Sequence, residues 1–390
     1  MPDRSSEFQL VLLPGLGADR RLLNPQRESF PDLIVPPWIP PHDKESLQSY
    51  AARMAETVER TPGKPLILGG VSFGGMLACE MAHYLKPDAV VLIASCRSPR
   101  SLRPEFLLGR GLMPILPLRA WSVAKLLAKP VVQMRLSVPR EQKELAVTMF
   151  RESDSRFMHW TVETLLSWQP TPLGGTAVFH IHGSRDPLIP ARRVDADRFI
   201  AGGGHLINVS HAEEVNGFIR EACSESQRVF AFVNDVRDYC RLIDLLAAGK
   251  PPNLYQQLHS CLSRLTQSIA NLPLGRGTSA EVNESSRISH EQWRQVAARI
   301  SQAISPEVLS LTEADQAYAE EIERDVTLFD SLADIYRDLR DGLDLFDGSE
   351  PWGFREALWR WKFSYEHHWG LHMFDALHTV HRIRYQLYAD

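Results

Sequence analysis

Cysteine is scarce in this sequence, and its distribution argues against two common kinds of site. The five cysteines are scattered over 390 residues, and no two of them have CxxC spacing: Cys79, Cys96, Cys223, Cys240 and Cys261. Cysteine zinc sites and the disulfide frameworks of small secreted domains depend on recognisable spacings. We therefore expect neither, and we expect reduced thiols.

Long apolar runs and excess positive charge are also missing. No stretch of about 18 uncharged apolar residues occurs, so we expect no transmembrane span. The first residues, MPDRSSEFQ, lack the apolar segment of a secretory signal. The net charge of −5 argues against a nucleic-acid partner. These absences together predict a cytoplasmic protein.

What the first part of the chain does contain is an alternation of apolar and helical segments. Continuous apolar runs are typical of strands buried on both faces of a parallel sheet. Their alternation with helices predicts an α/β fold with a doubly wound, mostly parallel sheet. The predicted strands are 8–14, 32–35, 65–72, 88–95 and 176–183, and the predicted helices between them are 45–60 and 73–85.

Beyond residue 225 the strand pattern stops and helical spacing takes over. We therefore predict an α/β domain over 1–224 and an all-helical domain over 225–390. The first carries a net charge of about +3 and the second about −8. The acidic domain could therefore dock on a protein partner, although ordinary surface solvation is the simpler explanation of the charge. The predicted helices are 229–248, 252–271, 290–304, 312–346 and 354–388.

Residues 69–75, GGVSFGG, place a serine among four glycines between a predicted strand and a predicted helix. The pattern Gly70-Val71-Ser72-Phe73-Gly74 is G-x-S-x-G, which in this context is typical of a nucleophile elbow. The sharp turn needs small residues two before and two after the serine. Ser72 is therefore the candidate nucleophile.

A serine nucleophile needs a base, an acid that orients the base, and donors for an oxyanion. Asp186 follows a strand in IHGSRDPLIP, and His205 lies in the glycine-rich stretch AGGGHLI. LLPGLGAD (12–19) is a tight loop after the first strand. Asp195 and Asp197 are rival acids, but they do not follow a strand directly.

With these motifs in this order, residues 8–222 resemble an α/β-hydrolase. The resemblance implies that Ser72 attacks a carbonyl carbon, that His205 is the base and that Asp186 orients His205. It also implies that the backbone N–H groups of Leu16 and Phe73 bind the oxyanion. Two features depart from the family pattern: Pro14-Gly15 replaces the usual His-Gly, and the interval from Asp186 to His205 is short.

An insertion of about 80 residues separates the strand ending at Ser95 from the one near Thr176. Hydrolases of this kind often carry a helical lid there, and we predict one over about 97–170. Apolar side chains between Leu107 and Trp121 could line an acyl pocket or pack the lid onto the core. The insertion is also basic, so it could attract an anionic substrate or an anionic membrane surface.

The tail, about 229–388, resembles a bacterial helical domain family of unknown function through segments such as VRDYCRLIDLL and HWGLHMFDALHTVHRI. The resemblance implies no activity. His368, His372 and Asp375 share one helix face and could bind a divalent metal. No further ligand is evident, however, and histidines are common at helix contacts. We therefore predict no metal and no cofactor.

Two functions fit these observations. The first is a serine hydrolase, carboxylesterase- or thioesterase-like, that cleaves a small or acyl-chain ester or thioester through an acyl-enzyme. The second is an interaction protein in which the helical domain is the working part and the hydrolase module is degenerate or accessory. The complete set of nucleophile, base, acid and oxyanion loop favours the enzyme.

Overall fold

The computed structural model describes residues 8–103, 140–173, 176–272, 288–304, 327–348 and 353–385. The chain divides into two compact units, Met1–Gln227 and Arg228–Asp390. Much of the predicted lid, including every pocket candidate between Leu107 and Trp121, lies outside the described residues.

The first unit is built on a sheet whose described strands all pair in parallel, in the order β1-β2-β3-β4-β5. Because the strands are parallel, their carboxyl ends lie along the same edge of the sheet, where α/β proteins usually place their sites. The strands are β1 (Gln9–Leu13), β2 (Leu66–Val71), β3 (Ala89–Ile93), β4 (Ala177–Gly183) and β5 (Arg198–Ile200).

Every residue of β1, β2 and β3 is buried. Successive side chains of a strand point to opposite faces, so complete burial means that both faces of the sheet are covered. This confirms the predicted α/β class. The helices are α1 (Asn24–Ser29), α2 (Leu47–Glu56), α3 (Phe73–Leu85), α4 (Arg140–Glu152), α5 (Ser155–Ser167), α6 (Ile207–Ser210) and α7 (Ala212–Leu245).

The strand predicted at 32–35 is wrong, because this segment forms only an isolated parallel bridge between Ile34 and Val11. Ile34 donates its N–H to Leu10 O and accepts from Leu12 N, at 2.9 and 3.0 Å. Val35 follows Ile34, and then come Pro36 and Pro37, which have no N–H to continue the ladder. Pairing therefore stops after one residue.

The second unit is helical over its described residues, which confirms the predicted change of class. The division between the units falls within α7, whose N-terminus lies well before the helix start predicted at 229. No described helix is both long and apolar enough to cross a bilayer. The later helices are α8 (Leu254–Ala270), α9 (His290–Ala303), α10 (Leu328–Asp347), α11 (Gly353–Ser364) and α12 (Gly370–Tyr385), and α11 and α12 are joined by a π-helical segment, Tyr365–Trp369.

Candidate active site

Ser72 lies at the turn between β2 and α3 with an unusual backbone conformation. Its φ is 54° and its ψ is −119°. A side-chain-bearing residue is strained at positive φ, and such strain persists only where the surrounding structure imposes it. Here the Ser72 N–H donates to Ile93 O at 3.0 Å, and the Ser95 hydroxyl donates to Ser72 O at 2.6 Å. Strand β3 and the residues after it thus hold the turn in place.

The glycines on either side of Ser72 are required by close backbone approach. A Cβ at Gly70 would lie 2.4 Å from the carbonyl carbon of Gly74. A Cβ at Gly74 would lie 2.3 Å from the carbonyl oxygens of Leu13 and Pro14, at the end of β1. The glycines therefore allow α3 to leave the sheet directly after Ser72.

The structure brings together the three residues predicted to act in concert. The Ser72 hydroxyl lies 2.9 Å from His205 Nε2, although the two residues are 133 positions apart. His205 Nδ1 lies 2.7 Å from Asp186 Oδ2, and both side chains are buried. With the proton on Nδ1, His205 donates to Asp186 and presents Nε2 as an acceptor to Ser72. This arrangement can remove the proton from a serine nucleophile.

Asp186 is positioned by the turn after β4. Its Oδ1 accepts the backbone N–H groups of Leu188 and Ile189 at 2.8 and 2.9 Å, which leaves Oδ2 for His205. Burial alone would raise the pKa of this carboxyl. The charge and hydrogen bond of His205, with the Ile189 N–H, outweigh burial and lower the pKa, so the carboxylate is ionised beside the imidazole.

The rival acids both lie beside His180. Asp197 Oδ2 accepts the backbone N–H of His180 at 2.8 Å, and the carbonyl oxygen of Asp195 lies 3.2 Å from His180 Nδ1. Between Asp186 and His205 the chain forms only a three-residue 3-10 helix, Ala191–Arg193, and the short strand β5. This short connection accounts for the small number of residues between Asp186 and His205.

Leu16 and Phe73, the predicted oxyanion donors, both lie beside Ser72. Since β1 and β2 are neighbours, with Leu13 paired to Gly70, the loop after β1 lies next to the turn after β2. A Cβ at Gly15 would lie 3.5 Å from Ser72 Cβ. Phe73 is the first residue of α3, where amide N–H groups have no acceptor within the helix. Both residues thus lie near Ser72, and their role as oxyanion donors stays a prediction.

Asp19 braces the loop after β1 without contacting the three central residues. Its carboxylate accepts the Arg21 backbone N–H at 2.9 Å and the Arg21 guanidinium at 2.6 Å. The hydrogen bond from the Arg21 side chain lowers the pKa of Asp19 despite some burial. Asp19 therefore orders the first turn that follows the oxyanion loop.

A largely apolar cavity of about 360 Å³ opens at Ser72 and His205. Much of its wall comes from α4 and α5, which the sequence interpretation did not single out as pocket helices. The helical spacing of apolar residues on α5 is the sequence feature that could have indicated a pocket wall there. The residues from these two helices are Ala146, Met149, Phe150, Val162, Leu165 and Leu166.

Two buried histidines, His180 and His182, lie on β4 near the candidate acid Asp186. His180 Nε2 lies 3.3 Å from His182 Nδ1, so both side chains are on one face of the strand, as their spacing predicts. His182 Nε2 lies 2.8 Å from Ile189 O and 3.4 Å from Asp186 Oδ2. Burial, and to a smaller extent the neighbouring His182, lowers the pKa of His180 to about 3. His182 thus supports the turn that carries Asp186, and His180 packs against His182.

The low pKa of His180 predicts that acid destabilises the first unit. The unfolded histidine titrates near 6.5, so between pH 6.5 and about 3 the unfolded state binds more protons and stability is lost as the pH falls. One such histidine costs about 2 kcal/mol between pH 7 and pH 5. His180→Gln should remove that part of the pH dependence. Native-state hydrogen exchange of β4, corrected for intrinsic rates, measures it, and equal pH slopes for both proteins would contradict the assignment.

A parallel α/β sheet with a serine at a strained strand-to-helix turn, hydrogen-bonded to a histidine and an aspartate from later loops, defines the α/β-hydrolase class of protein. The model of the alpha/beta hydrolase family matches residues 2–218. The chain belongs to this family, and the prediction of a hydrolase enzyme is confirmed at that level. Residues 224–386 match the model of a domain of unknown function, DUF5063.

Comparison with solved structures finds matches at low identity and low TM-score. MenH from S. aureus is 16% identical, with 57% of this chain and 95% of that chain covered and a TM-score of 0.44. The hydrolase olei00960 from Oleispira antarctica is 12% identical, covering 56% and 91%, with a TM-score of 0.44. The N-acyl homoserine lactonase AidH is 15% identical, covering 56% and 90%, with a TM-score of 0.43. Because these TM-scores are below 0.5, the likenesses carry no argument about the substrate of this chain. No curated protein matches the chain.

Proposed function

We propose that this protein is a serine hydrolase that cleaves an ester or thioester with an apolar acyl chain, through Ser72, His205 and Asp186. The observation that carries the proposal is the continuous hydrogen-bond chain from the Ser72 hydroxyl through His205 to Asp186, at the end of an apolar cavity. The alternative, a degenerate hydrolase module, has no such observation in its favour.

In the proposed reaction, Ser72 Oγ forms a bond to the substrate's carbonyl carbon while His205 Nε2 takes the serine proton. The carbonyl oxygen becomes an oxyanion and accepts the N–H groups of Leu16 and Phe73. The bond to the leaving alcohol or thiol then breaks, and His205 returns the proton to it. Water enters, gives its proton to His205 and attacks the acyl-enzyme, which releases the acid and restores the Ser72 hydroxyl.

The substrate class follows from the cavity wall. Its helical part, on α4 and α5, offers apolar side chains such as Met149, Phe150 and Leu165. Such a surface is complementary to an acyl chain and leaves the reacting carbonyl as the polar part of the substrate. Each methylene buried there contributes about 0.8 kcal/mol of binding.

We therefore expect a preference for longer acyl chains. Over a panel of nitrophenyl esters and acyl-thioesters, kcat/KM should rise about fourfold per added methylene until the cavity is filled. Ala146→Phe should move the optimum to shorter chains because Ala146 lines the cavity. Thr148→Phe, on the exposed face of the same helix, should leave the optimum unchanged. A flat profile, or highest activity on the shortest esters, would contradict an acyl-binding cavity.

Three further assignments belong to the same proposal. The insertion over about 97–170 acts as a lid that excludes water. Residues 1–224 form the enzyme domain, and residues 225–390 form an acidic accessory domain that docks on a protein partner. The protein works in a reducing compartment such as the cytoplasm, which fits five cysteines that are all buried free thiols.

A further inference from the structure

Within the second unit, two facing helical segments bring two carboxylates and two histidines together. Asp334 and Asp338 lie one turn apart on α10, and His368 and His372 lie four positions apart across the junction of the π-helical segment with α12. One ligand atom each from Asp334, His368 and His372 lies within 4.8 Å of the others. Among the described residues, the carboxylate that joins the two histidines is thus Asp334, from a neighbouring helix, and not Asp375.

The orientation of His368 is the most informative feature of this cluster. Its Nδ1 donates to Asp338 Oδ2 at 2.9 Å, so in the neutral imidazole Nε2 carries the lone pair, on the opposite side of the ring. Histidines that bind metals nearly always donate their other N–H to a carboxylate in this way, which fixes the tautomer and ring orientation. His372 Nε2 lies 3.6 Å from Asp334 Oδ2, and its Nδ1 lies 3.5 Å from Ser331 Oγ.

A cationic side chain, that of Arg337, already contacts two of the candidate ligands. The Arg337 guanidinium lies 2.9 Å from Asp334 Oδ1 and 3.4 Å from His368 Nε2. Arg337 cannot lose its proton, so it donates to the lone pair of His368 and to the Asp334 carboxylate. The same two acceptors would coordinate a metal ion if the long arginine side chain turned toward solvent.

The backbone at His368 is specialised as well. The π-helical segment inserts one extra residue per turn, and such segments are rare and frequently found at functional sites. A Cβ at Gly370 would lie 2.2 Å from Tyr365 O, so glycine is needed where the segment passes into α12. This local geometry sets which way His368 faces, and a regular helix through the same residues would turn it elsewhere.

We propose that Asp334, His368 and His372 bind one divalent transition-metal ion, with Asp338 as the carboxylate that orients His368. Two imidazoles and one carboxylate are a ligand set that Zn²⁺ and similar ions accept, with a remaining position for water. Metal bonds of about 2.1 Å place ligand atoms about 3.3 Å apart, so the side chains must close by roughly 1 Å. The proposal is independent of the hydrolase chemistry of the first unit.

Cobalt titration of the untagged full-length protein tests the site. Co²⁺ should bind with one-to-one stoichiometry and give visible absorption bands, and Zn²⁺ should displace it. His368→Gln and His372→Gln should each weaken binding at least about a hundredfold. His367→Gln is the matched control, because this exposed histidine of the same segment contacts the backbone oxygen and the ring of Phe363, outside the cluster, and the change should leave binding unchanged. Absence of stoichiometric Co²⁺ and Zn²⁺ binding by the wild type would overturn the proposal whether or not the variants fold.

Two more variants separate a metal site from a network of ion pairs. Asp338→Asn should weaken binding about tenfold to a hundredfold, as loss of an orienting carboxylate typically does. Arg337→Gln should strengthen binding, since it removes a competing cation. The exposed pair His259 and His381, whose ring nitrogens lie 3.1 Å apart, is another possible place for an added metal. Binding that disappears in His259→Gln and persists in His368→Gln would place the metal there and refute the site.

Discussion

Ser72→Ala should abolish labelling by a fluorophosphonate probe and lower kcat for the best ester by about 10⁴- to 10⁶-fold. The expected loss is large because nucleophile, base and acid act as a unit, and the rate that remains comes from binding and the oxyanion donors. Labelling followed by mass spectrometry of the modified peptide, together with steady-state kinetics, measures both effects.

The control for Ser72→Ala is a serine-to-alanine change outside the site. Ser49 is exposed on α2, so Ser49→Ala should be labelled and should turn over substrate like the wild type. Alanine at position 72 inherits the same positive φ, and circular dichroism should show an unchanged fold. Equal labelling of wild type and Ser72→Ala would mean that another residue is the nucleophile. No turnover by the wild type on any ester or thioester would favour the helical unit as the working part.

Asp186→Asn should lower kcat by about 10⁴-fold while KM changes little. Asp186 Oδ2 accepts from His205 Nδ1 and so holds the tautomer whose Nε2 faces Ser72. An asparagine amide can present N–H to His205 instead, which favours the tautomer with its proton on the wrong nitrogen. The lost charge also removes the group that stabilises the imidazolium formed during the reaction.

Asp197→Asn is the matched variant for this second prediction. Asp197 Oδ2 accepts the backbone N–H of His180, and an asparagine carbonyl oxygen can accept the same hydrogen bond. Activity should therefore stay within a fewfold of the wild type. Steady-state kinetics of both variants on one substrate compares them directly. If only Asp197→Asn lost activity, the assignment of the acid would be wrong.

The parts of this protein that could be predicted were those determined by short-range sterics. The turn at Ser72 was predictable because strand and helix cannot meet so closely unless Gly70 and Gly74 lack side chains. The buried strands β1 to β3 were predictable because their residues are apolar on both faces. The helix predicted at 73–85 agrees with α3, where the change from strand to helix follows directly from the turn.

Other features depended on contacts between distant segments. The segment 32–35 looks like a strand, yet it pairs through Ile34 alone, before two prolines. The helical spacing from 354 to 388 predicts one continuous helix, but a π-helical segment interrupts it at Tyr365–Trp369. The carboxylate beside His368 and His372 comes from α10, which no spacing within 367–385 could reveal.

The sequence by itself determined the fold class, the bend at Ser72 and the order of the candidate nucleophile, acid and base, since each can be recognised from short local patterns and from their order along the chain. Only the tertiary structure decided that Asp186, and not Asp197, meets His205, and that α4 and α5 wall the cavity. The physical reason is that a hydrogen bond or an apolar contact depends on separation in space. Side chains 133 positions apart acquire a 2.9 Å separation only when the parallel sheet aligns the ends of its strands.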